Sequence, residues 1–436
     1  MQNITLSIAL IASSLILIFR PLTGFVVYIA VLFFYPGYLV LQIGTIDIPA
    51  MRVAVTVLLI KCILSRKIRK VFQWNKLDTW ITAFVVWGII IKLITCPMME
   101  ALENRAGDLM NTLFAYFVTR LCITNRQELV KFIKLVSILF IPLAVIGIIE
   151  STTGWQPFAA LRIYCPWRPE EVSLMSRWGF QRAFGAFGQP ILFGIAFSMF
   201  LPLVSYLRHQ KNYWSSLSFV LLCIVFIGAL TSMSSGPWVM VFFSVAVLLM
   251  ENYKYLLKPI FTLFVAGSIF IALGSNRPFY HVLISYANPV GGSGWHRARL
   301  IDAAIHYFGE WWLVGYGEIN PNWGEFLGGV ANTDLTNEFV LVGVKYGIAG
   351  VILLCGILIV AFRELYLLYI SSSDTNLKSL CWVLGCTLAS IIVVWISVSF
   401  FGVVTPLYYC VMGIIGSVIR FSGCVPNSNR IGKLST

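Results

Sequence analysis

The chain has 436 residues, 59% of them hydrophobic and only 11% charged, with 31 Lys and Arg against 18 Asp and Glu for a formal charge of +13. This composition lies outside the range of ordinary water-soluble globular domains and leaves no stretch long enough for a separate soluble domain. The basic residues stand in short segments between apolar runs, so the excess charge reads as membrane orientation rather than nucleic-acid binding, for which no motif is present.

Apolar runs near the roughly 20 residues needed to cross a bilayer recur along almost the whole length. The first, 4–19, has neither a basic leader nor a small-residue cleavage site and is expected to stay as a span. Further spans are predicted at 22–42, 48–64, 77–96, 107–123, 129–150, 189–207, 215–231, 236–250, 256–273, 337–361, 378–398 and 402–420. The expected fold is all-α, a polytopic integral membrane protein with 13 transmembrane helices, or 12 if two short ones merge, forming one membrane domain over 1–436.

Basic clusters occur at "SRKIRK" (65–70), "NRQELVKFIK" (125–134), "RHQK" (208–211) and "ENYKYLLK" (251–258), then at Arg363, Lys378 and the tail "RIGK". If the spans alternate, all fall on one side, which the positive-inside rule assigns to the cytoplasm. Two long segments, 151–188 and 274–336, are then extracytoplasmic. The first carries Arg162, Arg168, Glu170, Glu171, Arg177 and Arg182 among aromatic residues, a density of external arginine that orientation does not explain. In the second, "RARLIDAAIHYFGEWWL" has apolar residues at helical spacing and is expected to lie as a surface helix, with Trp311, Trp312 and Trp323 suited to an interfacial belt or to capping the bundle.

Most of the ten cysteines lie inside apolar runs, where they act as small hydrophobes; Cys96 and Cys165 fall in external loops and form a candidate pair. Lys345 falls about two turns into a span, where a charge requires a cavity or a partner, whereas Lys92 and Asp108 near span ends read as snorkelling or loop residues. Gly343, Gly347 and Gly350 read as helix-packing positions.

Four elements then appear in order between 182 and 350: "RAFGAFGQP" before a span, the small-residue turn "TSMSSG" (231–236), "RARLI" followed by "WWLVGYG" (311–317), and "TNEFVLVGVKYGIAG" (336–350) entering a span. This ordered set resembles the O-antigen ligase and polymerase superfamily of bacterial envelope glycan enzymes. Two positions depart from its pattern: Ser235 stands where many relatives carry arginine, and Thr336 where ligases carry a histidine. The departures favour a polysaccharide polymerase over a ligase. The resemblance implies a metal-independent glycosyltransferase without cofactor in the bacterial cytoplasmic membrane. Its expected partners are membrane lipids, an undecaprenyl-diphosphate-linked oligosaccharide, a glycan acceptor and other polysaccharide assembly proteins. A ligase transferring glycan to lipid or protein, a bicarbonate-type small-solute transporter and a non-catalytic assembly partner are the alternatives.

A lipid-linked diphosphate is a good leaving group, so such an enzyme must hold it, stabilise its growing charge and deprotonate an acceptor hydroxyl. Arginine keeps its charge at physiological pH and grips phosphate oxygens bidentately, which singles out Arg182 and Arg177, with Arg297 and Arg299 as further diphosphate contacts. Anchoring or headgroup binding is the competing reading of these arginines. Gly185 and Gly188 suit a tight turn that would aim backbone N–H groups at an anion. Candidate bases are Asp334, Glu338 and His296, with His281 and His306 as further titratable groups. Asn337 reads equally as a helix cap and a sugar contact, and Lys345 as part of the wall of a substrate cavity.

Overall fold

The computed structural model describes residues 1–44, 46–96, 106–166, 176–210, 213–286, 294–327 and 334–423. Arg168, Glu170, Glu171, Lys211 and the basic tail at 430–433 lie outside the described residues. Each of the 13 predicted spans contains helix, and among the described residues nine helices are long and apolar enough to cross a membrane. The architecture is compatible with an all-α multi-pass membrane protein.

The chain begins with α1 (Gln2–Ile18) and α2 (Pro21–Phe34). Lys61 donates to the carbonyls of Ile16 (2.7 Å), Leu17 (2.9 Å) and Phe19, placing a cation on the free carbonyls where α1 ends. The second predicted span is cut short. Pro36 disfavours helix in the residue before it, and the chain turns instead into a hairpin, β1 (Val40–Ile43) against β2 (Ile46–Pro49).

There follow α3 (Ala50–Leu64), a short basic α4 (Arg66–Val71) and α5 (Lys76–Thr95), which opens on a reciprocal capping box between Asn75 and Asp78. A π-turn at Met110–Phe114 leads into α6 (Ala115–Cys122), and α7 (Arg126–Thr153) ends on Gly154 in the left-handed conformation. The central helices are α8 (Pro190–Ser205), which packs against α9 (Tyr213–Leu230) and α10 (Ser235–Leu249), and α18 (Val404–Gly423), which packs against α6. By contrast α11 (Leu257–Gly274) has no buried residue.

The last long elements are α16 (Glu338–Ser371) and α17 (Thr375–Trp395). Before them the 274–336 segment folds into short helices, α12 (Phe279–Tyr286), α13 (Gly294–His306), α14 (Phe308–Trp311) and α15 (Gly324–Leu327). Leu300, Ala303, Trp311, Trp323 and Leu327 form a small core over Val344 of α16. Trp311 and Trp323 are therefore buried packing residues rather than members of an interfacial belt, while Trp312 is exposed. Cys96 and Cys165 are both free thiols, and Cys165 packs beside Tyr38 and Leu39.

The connections sort into two sets that meet at opposite ends of the bundle. At one end Arg126 pairs with Asp374 (2.6 Å), Arg208 with Glu251, and Lys254 donates to Tyr369 (2.5 Å). At the other, Arg182 donates to Ser234 (2.8 Å), Asn337 to the Ile396 carbonyl (2.9 Å), and the Phe400 amide to Glu338 (2.7 Å). This is the partition that alternating spans require, and it gathers the 151–188 and 274–336 segments at one end.

Near the first end, Arg120 on α6 reaches both carboxylate oxygens of Asp78 on α5 at 2.9 and 2.8 Å and donates to the carbonyls of Gly416 and Gln73 at 2.8 Å. Tyr116 donates to the same carboxylate at 2.6 Å. Both charged groups are fully buried, so each depends on the other. Asp78→Ala is expected to cost about 3–5 kcal/mol by leaving Arg120 uncompensated, whereas replacing the pair by apolar residues of similar volume should recover most of that loss. Unfolding of the purified variants in detergent checks both.

Candidate functional site

The "RAFGAFGQP" element is built on a buried carboxylate. Glu150, fully buried near the end of α7, accepts the amides of Phe184 (2.8 Å) and Gly185 (2.9 Å). The turn then closes through Gly185 at φ 50° and Gly188 at φ 74°, a left-handed geometry that disfavours a side chain. Of the two glycines expected to aim amides at a ligand anion, Gly185 thus has its amide taken by a carboxyl group of the protein itself. Ahead of this turn, Ser176–Arg177 pairs with Phe180–Gln181 around Trp178 (φ 53°) and Gly179 (φ 80°), the positive-φ pair of a tight hairpin.

Both structures deliver arginine to the 231–236 turn. Arg182 donates to Ser234 Oγ at 2.8 Å and Arg177 to the Met233 carbonyl at 3.2 Å. Met233 is itself held at φ 44°, and Ser234 is the N-cap of α10 with no side-chain cap hydrogen bond. Burial and the neighbouring Arg177 charge push the Arg182 guanidinium down to about 10, so it remains a cation at neutral pH. Arg297, on α13, is lowered by burial and by Arg177, with Asp334 acting in the opposite direction. Arg177 therefore stands in electrostatic reach of both Arg182 and Arg297. Three cations, with Asp334 as the carboxylate that acts on Arg297, meet near a helix N-terminus, where the backbone adds positive potential.

A second polar region lies between α5, α16 and α18. A cavity of about 370 Å³ is lined by Arg52, Lys92, Asp108, Glu318, Glu338 and Lys345, together with Tyr346, Trp395, Phe400, Tyr408 and Tyr409. Lys92 pairs with Asp108 and, at 2.5 Å, with Glu318; Lys345 pairs with Glu318 at 3.0 Å. Burial raises the Glu318 carboxyl, but Lys345 and Lys92 together outweigh it and hold the group below its ordinary value of 4.5.

Glu318 is brought there by a break in α16. At Gly347 the backbone turns to φ 70° and ψ −178°, which frees hydrogen-bonding groups on either side. The Val344 carbonyl accepts Tyr316 N–H (2.7 Å), the Lys345 carbonyl accepts Gly317 N–H (3.1 Å), and Ile348 N–H donates to the Trp312 carbonyl (2.8 Å). Trp87 donates to the Tyr346 carbonyl at 2.9 Å. The "WWLVGYG" element is the segment that fills the break. A Cβ at Gly347 would meet the Leu313 oxygen at 2.6 Å, so this glycine serves a backbone conformation and not only helix packing.

The candidate residues thus divide. Arg177, Arg182, Arg297 and Asp334 gather at the 231–236 turn, while Glu338 and Lys345 line the cavity. Arg299 turns elsewhere, donating to the Phe326 carbonyl (2.6 Å) with its guanidinium 5.8 Å from the Trp295 ring. His296 contacts Trp295 edge-on at 5.8 Å. His281 pairs with Asp302 at 2.8 Å, and His306 stacks on Phe326 at 5.3 Å. Asn337 is buried, its oxygen accepting Val340 N–H (3.1 Å) and its amide donating to the Ile396 carbonyl, so it caps α16.

The residues that sequence reasoning missed are Lys92, Asp108, Arg52 and Glu150. Lys92 is 5% exposed, too buried to snorkel. The signal was the occurrence of charge within otherwise apolar runs, which points to an internal partner without naming it. Among the described residues no group of three or more His, Cys, Asp or Glu is placed to hold a metal ion. No protein-family model matches the chain, and no curated protein is significantly similar to it.

Because the folded-state value of Glu318 is depressed, its ion pairs contribute stability above about pH 4.5 and lose it as pH falls further. Hydrogen exchange at Tyr316 and Gly317, corrected for intrinsic rates, should show protection unchanged from neutral to mildly acidic pH and falling below that value. Glu318→Gln should remove this acid-dependent step.

Proposed function

We propose that the protein transfers oligosaccharide from undecaprenyl diphosphate to a glycan acceptor at the extracytoplasmic face of the bacterial cytoplasmic membrane, extending a surface polysaccharide. The observation that carries this reading is the meeting of Arg177, Arg182 and Arg297 near the N-terminus of α10, at the end of the bundle that gathers both long segments. Such a group of arginines suits two phosphates held where a lipid diphosphate lies. The acceptor hydroxyl attacks the anomeric carbon, the carbon–oxygen bond to the diphosphate breaks, and the hydroxyl proton passes to a carboxylate of the 334–338 segment. Electrons of the broken bond leave on the diphosphate, whose added charge the arginines offset.

A transporter is the second reading, favoured by the break in α16 at Gly347 and by the buried Lys92–Glu318–Lys345 chain, since interrupted helices and internal charges recur at solute pathways. Purified protein given undecaprenyl-diphosphate oligosaccharide and no nucleotide sugar separates the two: longer lipid-linked chains support transfer, and solute flux into vesicles without chain growth supports transport. Arg182→Ala is expected to lower chain growth at least about 100-fold, with Arg182→Lys restoring only part of it because lysine does not reproduce bidentate phosphate contact. Full activity in both variants at normal protein level would overturn the role of Arg182.

A further inference from the structure

The cavity and the arginine cluster have opposite electrostatic characters. Among the described residues the cavity wall carries Arg52, Lys92 and Lys345 against Asp108, Glu318 and Glu338, three formal positive charges against three negative. A balanced wall does not attract a phosphate, but its alternating donors and acceptors match a neutral ligand that offers both, as a hydroxyl group does. Aromatic rings flank the charges. Trp395, Phe400 and Tyr408 pack edge to face at 5.1–6.1 Å, and Phe84 meets Tyr346 at 6.0 Å. The negative π face of such rings accepts the C–H face of a sugar ring.

Two buried polar groups in this wall are unmatched among the described residues, Trp395 Nε1 and Tyr408 Oη, on side chains only 1% and 5% exposed. A buried donor without a partner is costly, and its persistence at a cavity fits a role in holding something. The volume of about 370 Å³ lies within the roughly 300–1,000 Å³ of small-ligand sites.

We infer that this cavity is a binding site for an uncharged saccharide, seated against the Trp395–Phe400–Tyr408 rings with its hydroxyls on the charged groups of the opposite wall. The inference deepens the glycan-transfer reading and rests on it only in taking the occupant to be the end of the acceptor glycan. It assigns the two halves of the substrate pair by charge, the diphosphate to the arginines and the neutral sugar to the cavity.

The test is a titration of the full chain in detergent micelles, by calorimetry and tryptophan fluorescence, with methyl glycosides and disaccharides of uncharged hexoses and N-acetylhexosamines, and with inorganic pyrophosphate as the anionic comparison. Saturable binding of at least one neutral sugar is expected, undiminished by Arg182→Ala. Tyr408→Phe and Trp395→Phe should each weaken that binding roughly 3- to 10-fold, the effect of one lost hydrogen bond. Tyr408→Phe should also leave the sugar-free protein as stable as the parent or more so, because it removes an unmatched hydroxyl; a purely structural hydroxyl would give the opposite sign. Absence of binding for every neutral sugar, or parental affinity in both variants, overturns the site. Sugar binding with these variant effects but no chain growth on the lipid-linked donor keeps the site and removes the transfer reading. Chain growth whose acceptor KM ignores both variants keeps the transfer reading and removes the site.

Discussion

A charge or an unpaired backbone group inside an apolar bundle must find a partner within the protein, and that constraint organises this molecule. Asp78 and Arg120 satisfy it by pinning α5, α6 and the Gly416 carbonyl of α18 together at one end. Glu150 satisfies it at the other end by accepting two amides of the 183–188 turn. The Lys92–Glu318–Lys345 chain satisfies it between the helices and the long segment that covers them. With so few charged residues in the chain, each buried one marks a joint of the fold.

The same constraint separates the two polar regions. At the 231–236 turn Arg182 and Arg177 converge, with Arg297 in electrostatic reach of Arg177, and guanidinium groups suit an anionic ligand. Among the described residues the formal charges lining the cavity cancel, and shape, hydrogen bonding and ring faces are what remain to select a ligand. Both regions are served by one stretch of chain: Asp334 acts on Arg297, and Glu338, four residues later, lines the cavity.

Helix positions were legible in the sequence because apolar length is a property of a single segment; the second predicted span ran well past its helix, where Pro36 ends it. The grouping of long segments at one end followed from alternation alone. Arg177, Arg182 and Arg297 were recognisable by position, but Arg299, two residues beyond Arg297, projects from another side of α13 and reaches Phe326 instead. What stayed hidden was pairwise. Lys92 and Glu318 are distant in sequence, and neither residue alone reveals the other. The break at Gly347 was equally hidden, since the same spacing of glycines serves close helix packing, and only the docked 312–317 backbone distinguishes the two uses.

That docked backbone bears on how the chain is assembled. Val344, Lys345 and Ile348 have their hydrogen bonds completed by residues 312–317, which precede α16 in the chain. Until that earlier stretch reaches the same end of the bundle, α16 carries open carbonyls and an open amide, for which lipid offers no substitute. Insertion of α16 is therefore coupled to delivery of the segment before it, and the order of synthesis supplies the filler before the gap.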